Sequence, residues 1–109
     1  MAEVPHISAV ELAQRLENGD AIDVIDVRED WERDISKVAF AKAIPMNEIP
    51  QRTAEIPKDT PVVVMCRSGG RSSQVATFLE SEGYTNVLNL EGGILRWALD
   101  VDPSLPKSY

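Results

Sequence analysis

Apolar and polar positions alternate along this chain in two different periods, and the alternation predicts its elements. Ser8 with Glu11 three residues later has the form of a capping box, and Val10 and Leu12 through Leu16 follow at helical spacing. Gly19 marks the stop of that first helix. "AIDVIDV" (Ala21 to Val27) is rich in β-branched residues and predicts a strand, and the acidic "REDWERDIS" after it predicts a short helix. "AKAIPM" predicts a brief strand ending near Pro45, and "NEIPQRTAEIP" one or two helical turns interrupted by Pro50.

"PVVVM" is apolar at every position, which suits a central strand covered on both faces. Val75, Phe78 and Leu79 then repeat at i, i+3 and i+4 until Gly83, predicting an amphipathic helix with a glycine stop. "NVLNL" predicts a last strand and "GGILRWAL" a last short helix. The tail "DVDPSLPKSY" holds two prolines and little periodicity, so residues 100–109 are expected to form a surface strap or a frayed end. Short apolar runs alternating with amphipathic ones are the pattern of an α/β domain with a mainly parallel sheet. At 109 residues, 1–109 is expected to be one domain with one core.

Composition narrows the function. A hydrophobic fraction of 43% and a charged fraction of 27% are those of an ordinary globular protein. No apolar run approaches the roughly 20 residues that cross a bilayer, so no membrane partner is expected. The start, "MAEVPHISAVELAQ", shows neither a basic nor an apolar leader region, and a cytoplasmic setting is the expectation. Acidic residues outnumber basic ones 18 to 11, for a net charge of −7, which argues against a nucleic-acid partner. One cysteine, Cys66, forms no internal disulfide and is too few for a cysteine-rich zinc site; no metal and no cofactor are expected.

Cys66 is therefore either core filler or a reactive thiol. After "VVVM" alone the filler reading would win, because free cysteines behave as small buried hydrophobes. The residues that follow reverse it. "CRSGGRS" places Gly69, Gly70, Arg67 and Arg71 directly behind the thiol, poor company for an apolar core. The loop leads from the carboxyl end of a strand into a helix, where open α/β sheets bind ligands. Glycines let successive N–H groups curl into an anion-holding nest, and arginines supply forked donors. A thiol there ionises below its free pKa of about 8.5 without needing a base. Nothing in the local sequence couples His6, the only histidine, to Cys66.

Taken together, "IDVREDWE" (Ile25 to Glu32), "AIPMNEIP", "CRSGGRS" and "VLNLEGGILRW" (Val87 to Trp97) resemble, in order and spacing, the rhodanese or thiosulfate sulfurtransferase-like family over nearly the whole chain. The resemblance implies a rhodanese-like fold: a five-stranded, mainly parallel sheet with helices on both faces. It implies that Cys66 is the catalytic nucleophile and takes a sulfane sulfur from a small anionic donor such as thiosulfate. The persulfide would pass its sulfur to cyanide, a thiol or a sulfur-carrier protein. Arg67, Ser68, Gly69, Gly70, Arg71 and Ser72 would form the substrate-binding cradle. Four residues separate Cys66 from Arg71, whereas related phosphatases place five there, so the loop favours sulfur transfer over phosphoester cleavage.

A persulfide relay that docks a sulfur-carrier activating enzyme is the alternative, and "DPSLPKSY" is similar to the end of domains associated with such enzymes. The chain departs from the family where a Gly-His-Ile-x-Gly-Ala stretch is usual. Here "SKVAFA" places Lys37 at the histidine position and Phe40 at the second glycine position. Lys37 is expected on the surface. Asp26 and Arg28 are expected to form a strand-end pair that supports the loops, and Trp31 and Trp97 to pack rather than bind substrate.

Overall fold

The structure, a computed structural model, describes residues 4–109; the first three, on which the expectation about a leader partly rests, lie outside them. Five strands form one sheet: β1 (His6–Ile7), β2 (Asp23–Asp26), β3 (Ala41–Ala43), β4 (Val62–Met65) and β5 (Val87–Leu90). Their spatial order is β1-β5-β4-β2-β3, and every neighbouring pair is parallel. Between them run α1 (Ala9–Glu17), α2 (Asp30–Ile35), α3 (Gly70–Ser81) and, after β5, α4 (Gly93–Asp100). The "NEIPQRTAEIP" stretch forms two 3-10 segments, Met46–Gln51 and Thr53–Glu55, with Pro50 inside the first.

The unbroken apolar run of β4 has a simple cause. Side chains of a strand point alternately to its two faces, and here both faces are covered. Val62, Val64 and Cys66 join Ile25, Val27, Val75, Ala76 and Leu79 in the core beneath α3. Val63 and Met65 face the opposite core, with Leu12 of α1 and Ile94 and Trp97 of α4. Cys66 thus continues the alternation one step past the strand, on the α3 side.

Local signals differ from the sequence reading at the capping boxes and at the sheet edge. At α1 the Ser8 hydroxyl accepts from the Glu11 amide (3.1 Å), but the Glu11 carboxylate bonds Arg15 one turn on (2.8 Å), so only half of the box forms there. The complete capping box belongs to α2, where Glu29 and Glu32 serve each other's backbone. Strand β1 has two residues, too few to show a period, and is held at the sheet edge by β5. The tail is a strap: Leu105 and Tyr109 pack against the second core. Among the described residues, no helix is long and apolar enough to cross a membrane.

Candidate active site: a thiol ringed by amides

Strand β4 ends at the centre of the sheet, so whatever follows it is flanked by the ends of β2 and β5. Cys66 follows it, and the chain then turns through Gly69, whose φ of +110° is open to glycine and strained for other residues, into α3. The turn brings the Gly69 N–H to 3.1 Å from the sulfur, and the amides of Ser68 and Ser72 face it as well. The Ser72 hydroxyl lies 3.3 Å from Sγ.

What turns the Ser68 peptide plane toward the sulfur is visible behind the loop. The Cys66 carbonyl accepts from the Ile94 amide (2.9 Å) and the Arg67 carbonyl from the Leu95 amide (3.2 Å), both in the first turn of α4. With the Arg67 carbonyl tied backward, the Ser68 N–H of the same peptide plane faces forward, toward the sulfur. This needs Gly93, at φ +59°: a Cβ there would sit 2.5 Å from the Cys66 carbonyl oxygen. The "EGG" before α4 is therefore part of the thiol's setting, although it is more than twenty positions away in sequence.

The thiol is buried, at 1% exposure, and the amides aim at it all the same. Burial pushes its pKa up, and hydrogen bonding from the loop, with the amides of Ser72, Gly69 and Ser68 among the donors, outweighs burial and leaves it lowered. The sulfur is an anion site in the sense that charge on it is met by peptide dipoles and not by water.

The two arginines of the loop have partners of their own. Both Nη groups of Arg71 donate to the Glu32 carboxylate, each at 2.7 Å. The sequence placed Arg71 among the donors for a bound anion; here one N–H of each Nη group is given to Glu32. Arg71 holds Glu32 well below the usual carboxylate range, at about 2 against the opposing effect of burial. Arg67 bonds through Nε to the Tyr109 carbonyl oxygen (3.0 Å) and lies 5.2 Å from the Tyr109 ring centroid. Among the described residues its Nη groups have no hydrogen-bonded protein partner.

Asp26 and Arg28 form a buried forked pair, 1% and 0% exposed, at 3.0 Å (Nε–Oδ1) and 2.8 Å (Nη2–Oδ2). Arg28 uses its remaining donors on the Ser36 carbonyl (2.7 Å), the Glu32 carbonyl (3.4 Å) and the Tyr109 hydroxyl (3.0 Å). A buried guanidinium with every donor occupied fixes the path of the chain through α2 and beyond. Tyr109 closes the arrangement by donating its hydroxyl proton to Glu32 Oε1 (3.0 Å); burial pushes its phenol pKa up and keeps that proton in place.

Glu32 and Tyr109 are site residues that the sequence reading missed, and so is Asn89, whose Oδ1 lies 2.5 Å from the Ser72 hydroxyl. Glu32 carried one faint signal, a glutamate three residues after Glu29 at a helix start. Lys37 is exposed, and Phe40 packs against Trp97 with centroids 5.1 Å apart and the rings tilted by 56°. Trp97 is packed in the core, but Trp31 is 61% exposed and meets only the edge of Tyr109, so the expectation that both tryptophans are packing residues holds for one. Among the described residues no group of His, Cys, Asp and Glu could hold a metal ion.

Comparison with known proteins places this geometry. The family described as the rhodanese-like domain matches residues 8–100. A protein named "Sulfurtransferase" from Allochromatium vinosum is 43% identical over 87% of this chain and 89% of its own. The crystal structure of a rhodanese-like domain protein from Staphylococcus aureus superposes with a TM-score of 0.81 at 32% identity, covering 86% of this chain and 91% of that one. The "Probable adenylyltransferase/sulfurtransferase MoeZ" of Mycobacterium tuberculosis is 32% identical over 91% of this chain, which spans 26% of that protein.

Proposed function

The chain belongs to the rhodanese-like domain family, and from that premise we propose that it is a sulfurtransferase working through a persulfide on Cys66. The observation that carries the reading is the ring of amides around one sulfur, with the Gly69 N–H at 3.1 Å. Such a ring serves an anion on sulfur twice, before and after transfer.

In the first half-reaction the Cys66 thiolate attacks the outer sulfur of a donor such as thiosulfate. The new S–S bond forms as the donor's own S–S bond breaks, and its electron pair leaves with sulfite. The product is a Cys66 persulfide anion, held by the N–H groups of Ser68, Gly69 and Ser72. In the second half-reaction a nucleophile, cyanide or a thiol, takes the terminal sulfur and returns Cys66 as thiolate. Charge is conserved in both steps and no cofactor is consumed. Donors preset toward a developing anion are each worth about 3–4 kcal/mol in enzymes that use them.

The remaining side chains divide the work. Arg67, with free Nη donors, is the arginine that meets the anionic donor. Arg71, paired with Glu32, holds α3 and α2 together beside the sulfur. Gly70 opens α3 and Asp26 with Arg28 fixes the base of the loop. Four residues between Cys66 and Arg71 make a ring sized for one sulfur rather than a phosphate. The MoeZ relative carries this kind of domain in a larger adenylyltransferase, which supports a sulfur-carrier protein as an acceptor.

Steady-state transfer from thiosulfate to cyanide tests the reading. Parallel double-reciprocal lines and complete loss in Cys66→Ser are expected. Intersecting lines, or transfer surviving in Cys66→Ser, would contradict it.

A further inference from the structure

The Ser72 hydroxyl has one proton and two neighbours that can accept it. Cys66 Sγ lies 3.3 Å away and Asn89 Oδ1 only 2.5 Å away. Ser72 is fully buried and Asn89 is 3% exposed, so neither has water as a substitute. Which neighbour receives the proton depends on how the Asn89 amide is turned, and its other contacts settle that. Its second polar atom lies 3.3 Å from the Gly69 carbonyl oxygen, which can only accept, and 3.3 Å from His6 Nδ1. The amide nitrogen must face Gly69, so the amide oxygen faces Ser72. The short contact then commits the serine proton to Asn89.

We propose that Asn89 is a positioning residue which restrains ionisation of Cys66 by holding the Ser72 proton away from the sulfur. While the thiol is protonated the hydrogen bonds run in one direction: Cys66 S–H to Ser72 oxygen, Ser72 O–H to Asn89 oxygen. Ser72 can help a thiolate only by turning its proton, which leaves two oxygens facing each other without a hydrogen between them. Ser72 is thus a held reserve for the anion, and the loop amides do the standing work. Because Asn89 also bonds the carbonyl of Gly69, whose amide serves the sulfur, a shift of the loop would move both contacts together.

The charged groups around the sulfur are few. From α3 the Arg71 guanidinium bears on it, already paired with Glu32 of α2. Arg67 lies beside it in the loop, Tyr109 of the tail sits beyond both arginines, and His6 of β1 stands behind Asn89. On α4, Arg96 turns outward to Asp100. None of these receives the Ser72 proton.

The proposal rests on Cys66 being the reacting thiol, but its test reads ionisation and not sulfur transfer, so its failure would leave the sulfurtransferase reading standing. The rate of iodoacetamide alkylation is followed against pH for the whole chain, with circular dichroism confirming the fold. Asn89→Leu frees the serine proton and is expected to lower the apparent thiol pKa by about one unit, accelerating alkylation up to about tenfold below both pKa values. That gain should vanish in Asn89→Leu/Ser72→Ala, which a general loosening of the loop would not produce. Ser72→Ala alone should leave the thiol pKa where it is or slightly below. A rise of about a unit in Ser72→Ala would show the hydroxyl already serving the sulfur and would overturn the proposal. So would an Asn89→Leu protein that is folded and whose thiol pKa is unchanged or higher. Should Asn89→Leu fail to fold, the Ser72→Ala profile decides alone.

Discussion

Replacing Glu32 by glutamine tests whether the ion pair beside the sulfur supports the fold through charge. Glu32 is 2% exposed and accepts both Nη groups of Arg71 at 2.7 Å, the Tyr109 hydroxyl at 3.0 Å and the Glu29 amide at 2.9 Å. Its carboxyl is held at about 2, against an ordinary value of 4.5. Each pKa unit is worth about 1.4 kcal/mol, so the depression corresponds to roughly 3 kcal/mol of stability. Arg71 is partly open to solvent, with 35% of its side chain exposed, which reduces the expected figure to about 2 kcal/mol. The sign follows from the direction of the shift. A carboxyl with a depressed folded pKa contributes in full above its unfolded value and loses the contribution as pH falls through the folded one.

Glu32→Gln should therefore unfold at lower urea concentration than the parent at pH 7, by about 2 kcal/mol, equivalent to roughly 8–16 °C in Tm for a domain of this size. Between about pH 4.5 and 2 the parent should lose the same stability while the variant does not, so the two curves converge. Equal stability at pH 7 would refute the reasoning. A deficit of the same size at every pH would show that shape, not charge, is what Glu32 supplies.

Gly93→Ala puts a methyl group onto the Cys66 and Arg67 carbonyls at a φ that alanine avoids, and should cost about 1–3 kcal/mol in urea unfolding while raising the alkylation pKa of Cys66. Unaltered thiol acidity in that variant would show that the α4 contacts do not aim the loop amides. Tyr109→Phe removes a hydrogen bond from Arg28 and one to Glu32, and should lower stability by about 1–2 kcal/mol in the same assay, whereas no change would mean that the strap leaves those groups hydrated. In the unmodified protein the pH profile of alkylation should place the Cys66 thiol below the ordinary value of about 8.5, and a value above it would mean that burial prevails over the amides. Arg67→Ala should raise KM for thiosulfate several-fold, beside a modest fall in Tm from its lost contacts with Tyr109; an unchanged KM would remove Arg67 from donor binding.

Periodicity made the sheet readable. Val62 to Met65, Val87 to Leu90 and the Val75–Phe78–Leu79 stripe all lie in the elements their spacing predicts, because each buries its apolar face against a neighbouring layer. The cysteine loop was readable for a different reason: its glycines and arginines are adjacent in sequence and contradict the apolar run before them. The network around it was not. Arg71 meets Glu32 across 39 positions, and Arg28 meets Tyr109 across 81. Polar contacts of that separation leave no period, and a lone arginine has the same sequence appearance whether its fork awaits a ligand or is already paired. Asn89 illustrates the limit most plainly. In "NVLNL" it interrupts a strand pattern with no visible purpose, and only the sheet order, which sets β5 beside β4, brings it to Ser72.

Mass spectrometry of the intact chain, mixed with thiosulfate and freed of excess reagent, addresses the central claim with the least intervening inference. The account predicts a gain of one sulfur atom, mapped to the peptide holding Cys66 and released again by cyanide. An unchanged mass under conditions where that thiol still reacts with iodoacetamide would contradict it.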